Sequence, residues 1–385
     1  MVGTDHTSTL AAEAPQGLLA LTLADPARAA DEARAFHGRA PLTAVFGVDD
    51  DTTVVAAHVA AALGLQHNSI EACLAARDKH RQRTLLAAAG VPVPAFALHR
   101  FDGDLAALAR ATPYPCVIKP TRLAMSRGVM RADAPRQLLE HVERLRRILD
   151  APDAQAACGE AVDVFLVEGF VPGIEVAVEG LMRQGVLTVL AVFDKPDPLD
   201  GPFFEETIYV TPSRLGAPMQ AQVATLVERA ARAIGVSGGP VHAEVRVGET
   251  GAVLIELAAR PIGGRCSAVL RFGPEGRVLL EEVLLRHALG RPQVEADLRR
   301  EAGAAAVMMI PTPRGGVLRR VDGVAAAKLE PWVDDVIVTA HAGQELVPLP
   351  EGSRYLGFIY AFAPAATTAE AAVRAAHQRL AIEIT

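Results

Sequence analysis

Helical and extended apolar patterns alternate along the first ninety residues, and short strand-like runs take over beyond residue 115. Gln16 to Leu23 is an apolar stretch, Pro26 to His37 suits a helix, and Leu42 to Val48 reads as a β-branched strand. This opening predicts part of an α/β unit. Asp49, Asp50 and Asp51 follow the strand at once. Ligands of open parallel sheets sit at the carboxyl ends of strands, so this acidic loop either faces a substrate or is a solvated turn. Helical spacing resumes from Thr53 to Leu63, with Gly64 as a stop. Asn68, with Glu71 three residues on, resembles a capping box opening a helical segment that runs to Gly90, where Val91-Pro-Val-Pro94 breaks it.

Beyond that break the period changes. Cys116 to Lys119, Val164 to Val171, Ile174 to Leu181, Val186 to Asp194, Val241 to Val247 and Ala252 to Leu257 read as strands separated by glycine turns, which predicts antiparallel sheet. Arg183-Gln-Gly185 and Gly248-Glu-Thr-Gly251 supply hairpin turns, and a helix from Met219 to Ile234 lies between the two hairpins. A helical stretch from Glu275 to Leu289 ends at Gly290-Arg-Pro292, which looks like a boundary. Four further strands (Ala304 to Ile310, Val317 to Val321, Val336 to Ala340, Tyr355 to Ala363) then precede an Ala-rich helix from Thr368 to Leu380.

At 385 residues the chain is long enough for two or three domains, and three are expected, over 1–75, 76–292 and 293–385. Apolar residues make up 50% of it but come in interrupted runs, none near the roughly 20 residues of a membrane-spanning helix. No basic start precedes an apolar block in the first thirty residues, so the expectation is a soluble, cytoplasmic protein with no membrane partner. Cys73, Cys116, Cys158 and Cys266 sit in no CxxC or Cys/His spacing, which argues against a zinc site or disulfide framework. A net charge of −7 without a basic, aromatic-flanked run argues against nucleic acid and for small molecules as partners.

Three segments carry candidate chemistry. Lys119 ends the apolar run Pro115-Cys-Val-Ile-Lys-Pro120, and a buried lysine needs an anion such as phosphate at its tip; taken alone, a strand-end lysine snorkelling to solvent is the plainer reading. Thr121 to Val129 follows directly and can fold over a triphosphate, with Ser126 and backbone N–H groups donating. In Phe165-Leu-Val-Glu-Gly-Phe-Val-Pro-Gly-Ile-Glu175 two carboxylates flank a Pro-Gly turn. Glu168 can accept from an adenine amino group, the backbone at Phe170 and Val171 can pair with the ring edge, and Glu175 can accept from ribose hydroxyls; otherwise both acids are solvent-facing. Finally, adjacent strands can bring Glu244 and Glu256 onto one face, where two carboxylates repel unless a cation lies between them, and Mg2+ suits all-oxygen ligands. Arg260 is then placed to neutralise a transferred phosphoryl group or an acyl phosphate, unless these charges only decorate a hairpin.

The order and spacing of these motifs resemble the ATP-grasp superfamily. The resemblance rests on Asp78-Lys79 before a helix ending in Ala-Gly-Val-Pro-Val-Pro94, the Val-Ile-Lys-Pro strand, the Glu-x6-Glu hinge and the Ile-Glu-x-x-x-Arg-x-x-Gly-Gly run, spanning residues 71 to 270. Ala-Met-Ser-Arg-Gly-Val129, Phe203-Phe-Glu-Glu206 with Thr211-Pro-Ser213, and Gly315-Gly-Val-Leu resemble most the L-amino-acid ligases, dipeptide-forming carboxylate–amine ligases. The resemblance implies an α/β chain with α+β elements: a shortened N-terminal α/β domain, a central ATP-grasp domain of two α+β subdomains, and a C-terminal α+β domain. It implies that Lys79 and Lys119 contact phosphates, Glu168 adenine and Glu175 ribose. Glu244 and Glu256 would hold Mg2+ (or Mn2+), Arg260 would steady an acyl phosphate, and Glu206 would receive a substrate amino group. The implied reaction is ATP-dependent joining of a carboxylic acid to an amine, both amino acids, with ADP and phosphate released, in a chain that can form a homodimer. Two departures stand out: Ala258 replaces a third, asparagine metal ligand, and the N-terminal unit starts partway in. A carboxylase acting through carboxyphosphate and an ATP-binding protein without turnover remain as alternatives.

Overall fold

The computed structural model describes residues 2–5 and 17–385; Gln16, the first residue of the opening apolar stretch, lies outside them. Val2–Asp5 and Leu18–Leu21 pair in parallel, and the helix Pro26–His37 follows with the expected bounds. Asp25 caps that helix by accepting from the Ala27 and Arg28 amides, and Pro26 occupies a first-turn position where no donor is missed. Its buried Ala29, Ala30 and Ala33 pack with Val55 and Val59 of the helix Asp50–Leu63.

Leu42 to Val48 forms no strand, contrary to the β-branched composition. Val45 packs against the N-terminal core, but Val48 is 63% exposed, and the amides of Val48 and Asp49 bind the Thr52 hydroxyl. Asp49 in turn accepts from the Thr52 amide, completing a capping box, so helix capping takes the groups a strand would need. A second correction concerns Asn68. Ser69 is the cap of the helix Ile70–Arg77, while the Asn68 side chain reaches across the fold to Ser237 and Gly238. Asp78 then splits the expected long segment and caps a second helix, Lys79–Ala88.

Two main antiparallel sheets follow, beside a three-stranded one of Glu345–Leu346, Gly316–Asp322 and Ala381–Ile384 and a two-stranded pair, Arg271–Phe272 with Val278–Leu279. The smaller main sheet has the order Phe96–Arg100, Val164–Gly169, Cys116–Lys119, Met130–Ala132, and the helix Pro135–Leu149 buries Leu138, Val142 and Leu145 against it. The larger has eight strands in the order Gly251–Ala258, Gly239–Gly248, Ile174–Arg183, Val186–Lys195, Ile208–Thr211, Ala304–Ile310, Gly357–Ala363, Val333–Val338. The helix Ala217–Ala233 covers one part of it through Val223, Leu226, Val227 and Ala230, and the helix Ala366–Gln378 covers another through Ala369, Ala372 and Val373. Hydrogen bonding in this sheet runs through the sequence boundary at Gly290-Arg-Pro292, since Ala304–Ile310 pairs with Ile208–Thr211. The helix expected from Glu275 starts only at Leu280, because Val278–Leu279 pairs with Arg271–Phe272. Among the described residues no helix is long and apolar enough to cross a membrane.

Candidate active site

A cavity separates the small sheet from the large one, and the eleven residues singled out from the sequence all line it: Lys79, Lys119, Ser126, Glu168, Phe170, Val171, Glu175, Glu206, Glu244, Glu256 and Arg260. Strand pairing explains the convergence. In the small sheet Val117 lies opposite Glu168 and Lys119 opposite Leu166, so Lys119 and Glu168 are diagonal neighbours on one face of antiparallel strands. In the large sheet Glu244 lies directly opposite Glu256, next to a bulge at Ile255, which is skipped between the pairs Glu244–Glu256 and Val245–Leu254. A bulge re-aims side chains, here at the mouth of the cavity.

The expected ligand acceptors already carry cations. Glu168 is buried between Lys119 Nζ at 2.6 Å and Arg83 Nε at 2.8 Å. Burial works to raise its pKa, but these two cations outweigh it and hold the carboxyl below its usual range. Glu168 Oε2 also receives Arg83 Nη2 at 3.4 Å, so three bonds fill three of the carboxylate's roughly four acceptor positions. One position, on Oε1, is left for a ligand. Glu175 is committed at both oxygens, to Lys195 Nζ at 2.7 Å and Arg246 Nε at 2.8 Å.

The backbone at the turn sharpens the ring-edge expectation. The Phe170 N–H donates to Pro115 O and the Val171 carbonyl accepts from Arg246. That leaves the Val171 N–H as a donor for an adenine ring nitrogen, while the Phe170 carbonyl, on the same trans peptide, points the opposite way, so the two cannot serve one ring edge together.

Lys195 was missed in the sequence. Its buried ammonium lies 2.7 Å from Glu175, 2.5 Å from Glu206 and 2.9 Å from Glu244. Oxygens of these three glutamates lie within 4.8 Å of one another, a spacing that would hold a metal ion. The signal was available: Lys195 ends the apolar strand Val186–Lys195 just as Lys119 ends its own.

Charge divides unevenly over the expected metal pair. Glu256 meets Lys79 Nζ at 3.0 Å; burial opposes ionisation, yet Lys79, Lys119 and Arg260 bring its pKa down to about 2. Glu244 is raised to about 7, by burial first and then by Glu206. Glu244 thus lies where acid outweighs cation, and its oxygen-only grouping with Glu175 and Glu206 fits a hard divalent cation such as Mg2+ or Mn2+, while Glu256 lies outside that group and is paired with Lys79. Opposite Ala258, where a third ligand was missing, the partner strand carries buried His242, whose Nε2 lies 3.9 Å from Glu244.

Arg260 Nε pairs with Asp50 at 3.0 Å. The acidic stretch thus reaches the site only through the Asp50 contact to Arg260, while Asp49 caps its helix and Asp51 pairs with Arg77. Ser126 lies in the stretch Thr121 to Val129, whose base is fixed by Lys79: its amide donates to Thr121 O at 2.8 Å and its ammonium to Leu123 O at 2.9 Å.

Beneath Arg260 lies Glu179, fully buried, accepting from the Ile262 amide at 2.9 Å with Oε1 unpaired. Burial pushes its carboxyl well above the ordinary value near 4.5, although the Ile262 bond and Arg260 pull the other way. A raised folded value means that folding takes up a proton. Its stabilising effect is complete below about 4.5 and is lost as pH rises through the folded value. Glu179→Gln keeps the acceptor without the proton uptake. Thermal melting at pH 5 and pH 8 should therefore show a smaller pH-dependent loss in the variant, and an equal loss in both proteins would count against a protonated Glu179. Glu179→Ala, which orphans a buried N–H, is expected to cost about 1–3 kcal/mol at pH 5, and less at pH 8, where the native protein has lost the stability linked to Glu179.

Residues 112–269 match the family described as ATP-grasp domain, and residues 308–385 match L-amino acid ligase C-terminal domain 2. The solved structure of an L-amino acid ligase from Bacillus licheniformis superposes with a TM-score of 0.79 at 26% identity, covering 96% of this chain and 87% of that one. A protein of Sinorhizobium fredii without assigned function is 28% identical over 313 residues, 81% of this chain and 62% of its own length. The alanine–anticapsin ligase of Bacillus subtilis is 28% identical over 240 residues, 58% of this chain and 49% of that one. The alignments thus span roughly half to two thirds of these two curated relatives.

Proposed function

We propose, from the premise that this chain belongs to the ATP-grasp superfamily and ends in an L-amino acid ligase C-terminal domain, that it uses ATP to join a carboxylic acid to an amine, both amino acids. One observation carries the reading: lysines, an arginine and paired carboxylates from segments far apart in sequence converge on one cavity between the two sheets.

The free position on Glu168 receives the adenine amino group, and the Val171 N–H donates to a ring nitrogen. Ribose hydroxyls compete with Lys195 and Arg246 for Glu175. Lys79, Lys119 and the Thr121–Val129 stretch, Ser126 included, take the triphosphate. Lys195, at the centre of Glu175, Glu206 and Glu244, is a further cation within reach of transferred charge. Glu244 and Glu256 would hold the divalent cation, which when bound supplies neutralisation of phosphate charge.

A carboxylate oxygen of the acid attacks the γ-phosphorus, ADP leaves, and an acyl phosphate forms. The amine then attacks the acyl carbon, the C–O bond to phosphate breaks, and the amine proton passes to solvent. Arg260 faces the negative charge that builds in both steps. Glu206, held by Tyr209 Oη at 2.8 Å, faces the substrate ammonium. Protein nucleophiles are not needed: all four thiols are buried, and burial pushes Cys73 up to about 12 and Cys116 to about 11.

Phosphate release over a matrix of amino acids, each offered as acid and as amine, tests the proposal. Release should require a matched pair and yield stoichiometric amide. No release with any pair, or release driven by bicarbonate alone, would sink it.

A further inference from the structure

The phosphate-covering stretch is not self-supporting. Met125 and Ser126 have φ of 57° and 55°, a left-handed conformation that side chains disfavour, and Gly128 follows at 75°. Something outside the loop must hold it. The Gly128 N–H donates to Pro350 O at 2.9 Å, a contact from the C-terminal part of the chain. Beside it Arg144, on the helix Pro135–Leu149 of the small sheet, grips Glu351 bidentately: Nε to Oε1 is 2.5 Å and Nη2 to Oε2 is 2.8 Å. The Arg144 guanidinium also lies 5.0 Å from the centroid of the Phe203 ring, which fixes its plane. The clasp continues into the cavity. Tyr355, four residues past Glu351, lines it with Phe358, and the Leu356 amide donates to Ile310 O in the large sheet at 2.9 Å. Four residues of chain span at most about 14 Å, so a shift at Glu351 cannot stay independent of the cavity wall.

We propose that Arg144 and Glu351 are positioning residues: their clasp ties the Thr121–Val129 phosphate cover to the C-terminal segment 350–358, so that the wall of the substrate cavity and the grip on ATP move together. The proposal rests on that stretch covering the triphosphate. A cover held in register with the substrate wall keeps the acyl phosphate from water until an amine is present, and a released cover lets ATP be hydrolysed without amide.

Arg144→Glu, Glu351→Arg and the pair together test it, with Glu351→Gln as a milder variant. The side chains are 32% and 41% exposed, so the fold should persist, which melting verifies. Each single change should weaken binding of the non-hydrolysable analogue AMP-PNP two- to five-fold, the range of an exposed bidentate pair, and speed amide hydrogen exchange at residues 123–129. ADP released per amide formed should rise by a similar factor, and KM for ATP should rise with kcat within two-fold. The double charge reversal should recover most of each effect. Unchanged AMP-PNP affinity and exchange in folded single variants, or a double variant as impaired as either single, would overturn the proposal. Analogue binding and exchange need no turnover, so a native protein that shows clasp-dependent binding yet releases no phosphate with any pair would refute the ligase reading and leave the clasp standing.

Discussion

Glu256→Gln should lower amino-acid-dependent phosphate release by about 10³-fold, the factor that loss of several kcal/mol of charge stabilisation implies. The substitution is chosen for its shape. Lys79 is buried against Glu256 at 3.0 Å, and the glutamine oxygen can still accept from it, so the folded state survives while the ligand charge is gone. Glu256 is also the side of the carboxylate pair that stays ionised, with a pKa brought down to about 2. Steady-state release across a Mg2+ titration gives the readout. Native turnover at saturating Mg2+ would show that Glu256 holds no essential metal.

The second large effect is expected at Arg260. Removing one preorganised donor to developing negative charge typically costs about 10²–10³ in kcat, and Arg260→Ala should fall in that range with KM for ATP little changed. Arg260→Lys should recover only part, because an ammonium cannot reproduce a planar fork. The Asp50 partner adds a further check. With Arg260 paired to Asp50 at 3.0 Å, Asp50→Asn should alter KM for an amino acid more than KM for ATP, since Asp50 arrives from the N-terminal unit. Equal kcat in Arg260→Ala and the native enzyme would remove Arg260 from the reaction centre.

Much of this site was legible because its residues sit at the ends of strongly patterned strands. Cys116–Lys119 and Ala304–Ile310 have the expected bounds, and the hairpins at Arg183-Gln-Gly185 and Gly248-Glu-Thr-Gly251 turn where glycine allows positive φ. Leu42 to Val48 misled because β-branched composition says nothing of whether a neighbouring strand exists to pair with it. Asn68 misled because two adjacent residues could both cap a helix, and tertiary contacts with Ser237 and Gly238 decided which one did. The site's missing members, Arg83, Lys195 and Arg246, are the counter-ions of Glu168 and Glu175. Spacing along one chain identifies a carboxylate at a cleft, but which cation neutralises it depends on cross-strand pairing. Glu175, for example, meets Lys195 and Arg246 because the strand Ile174–Arg183 lies between both their strands. The glutamates that the sequence presents as ligand acceptors are therefore also the keystones of the buried charge network.

The central claim is that the acid's own oxygen is phosphorylated before the amine attacks. A carboxylic acid substrate labelled with 18O in its carboxylate, incubated with ATP, Mg2+ and the amine, reports this directly through the mass of the released phosphate. One labelled oxygen in each phosphate per amide formed is the predicted result; phosphate free of label would contradict an acyl phosphate in this cavity.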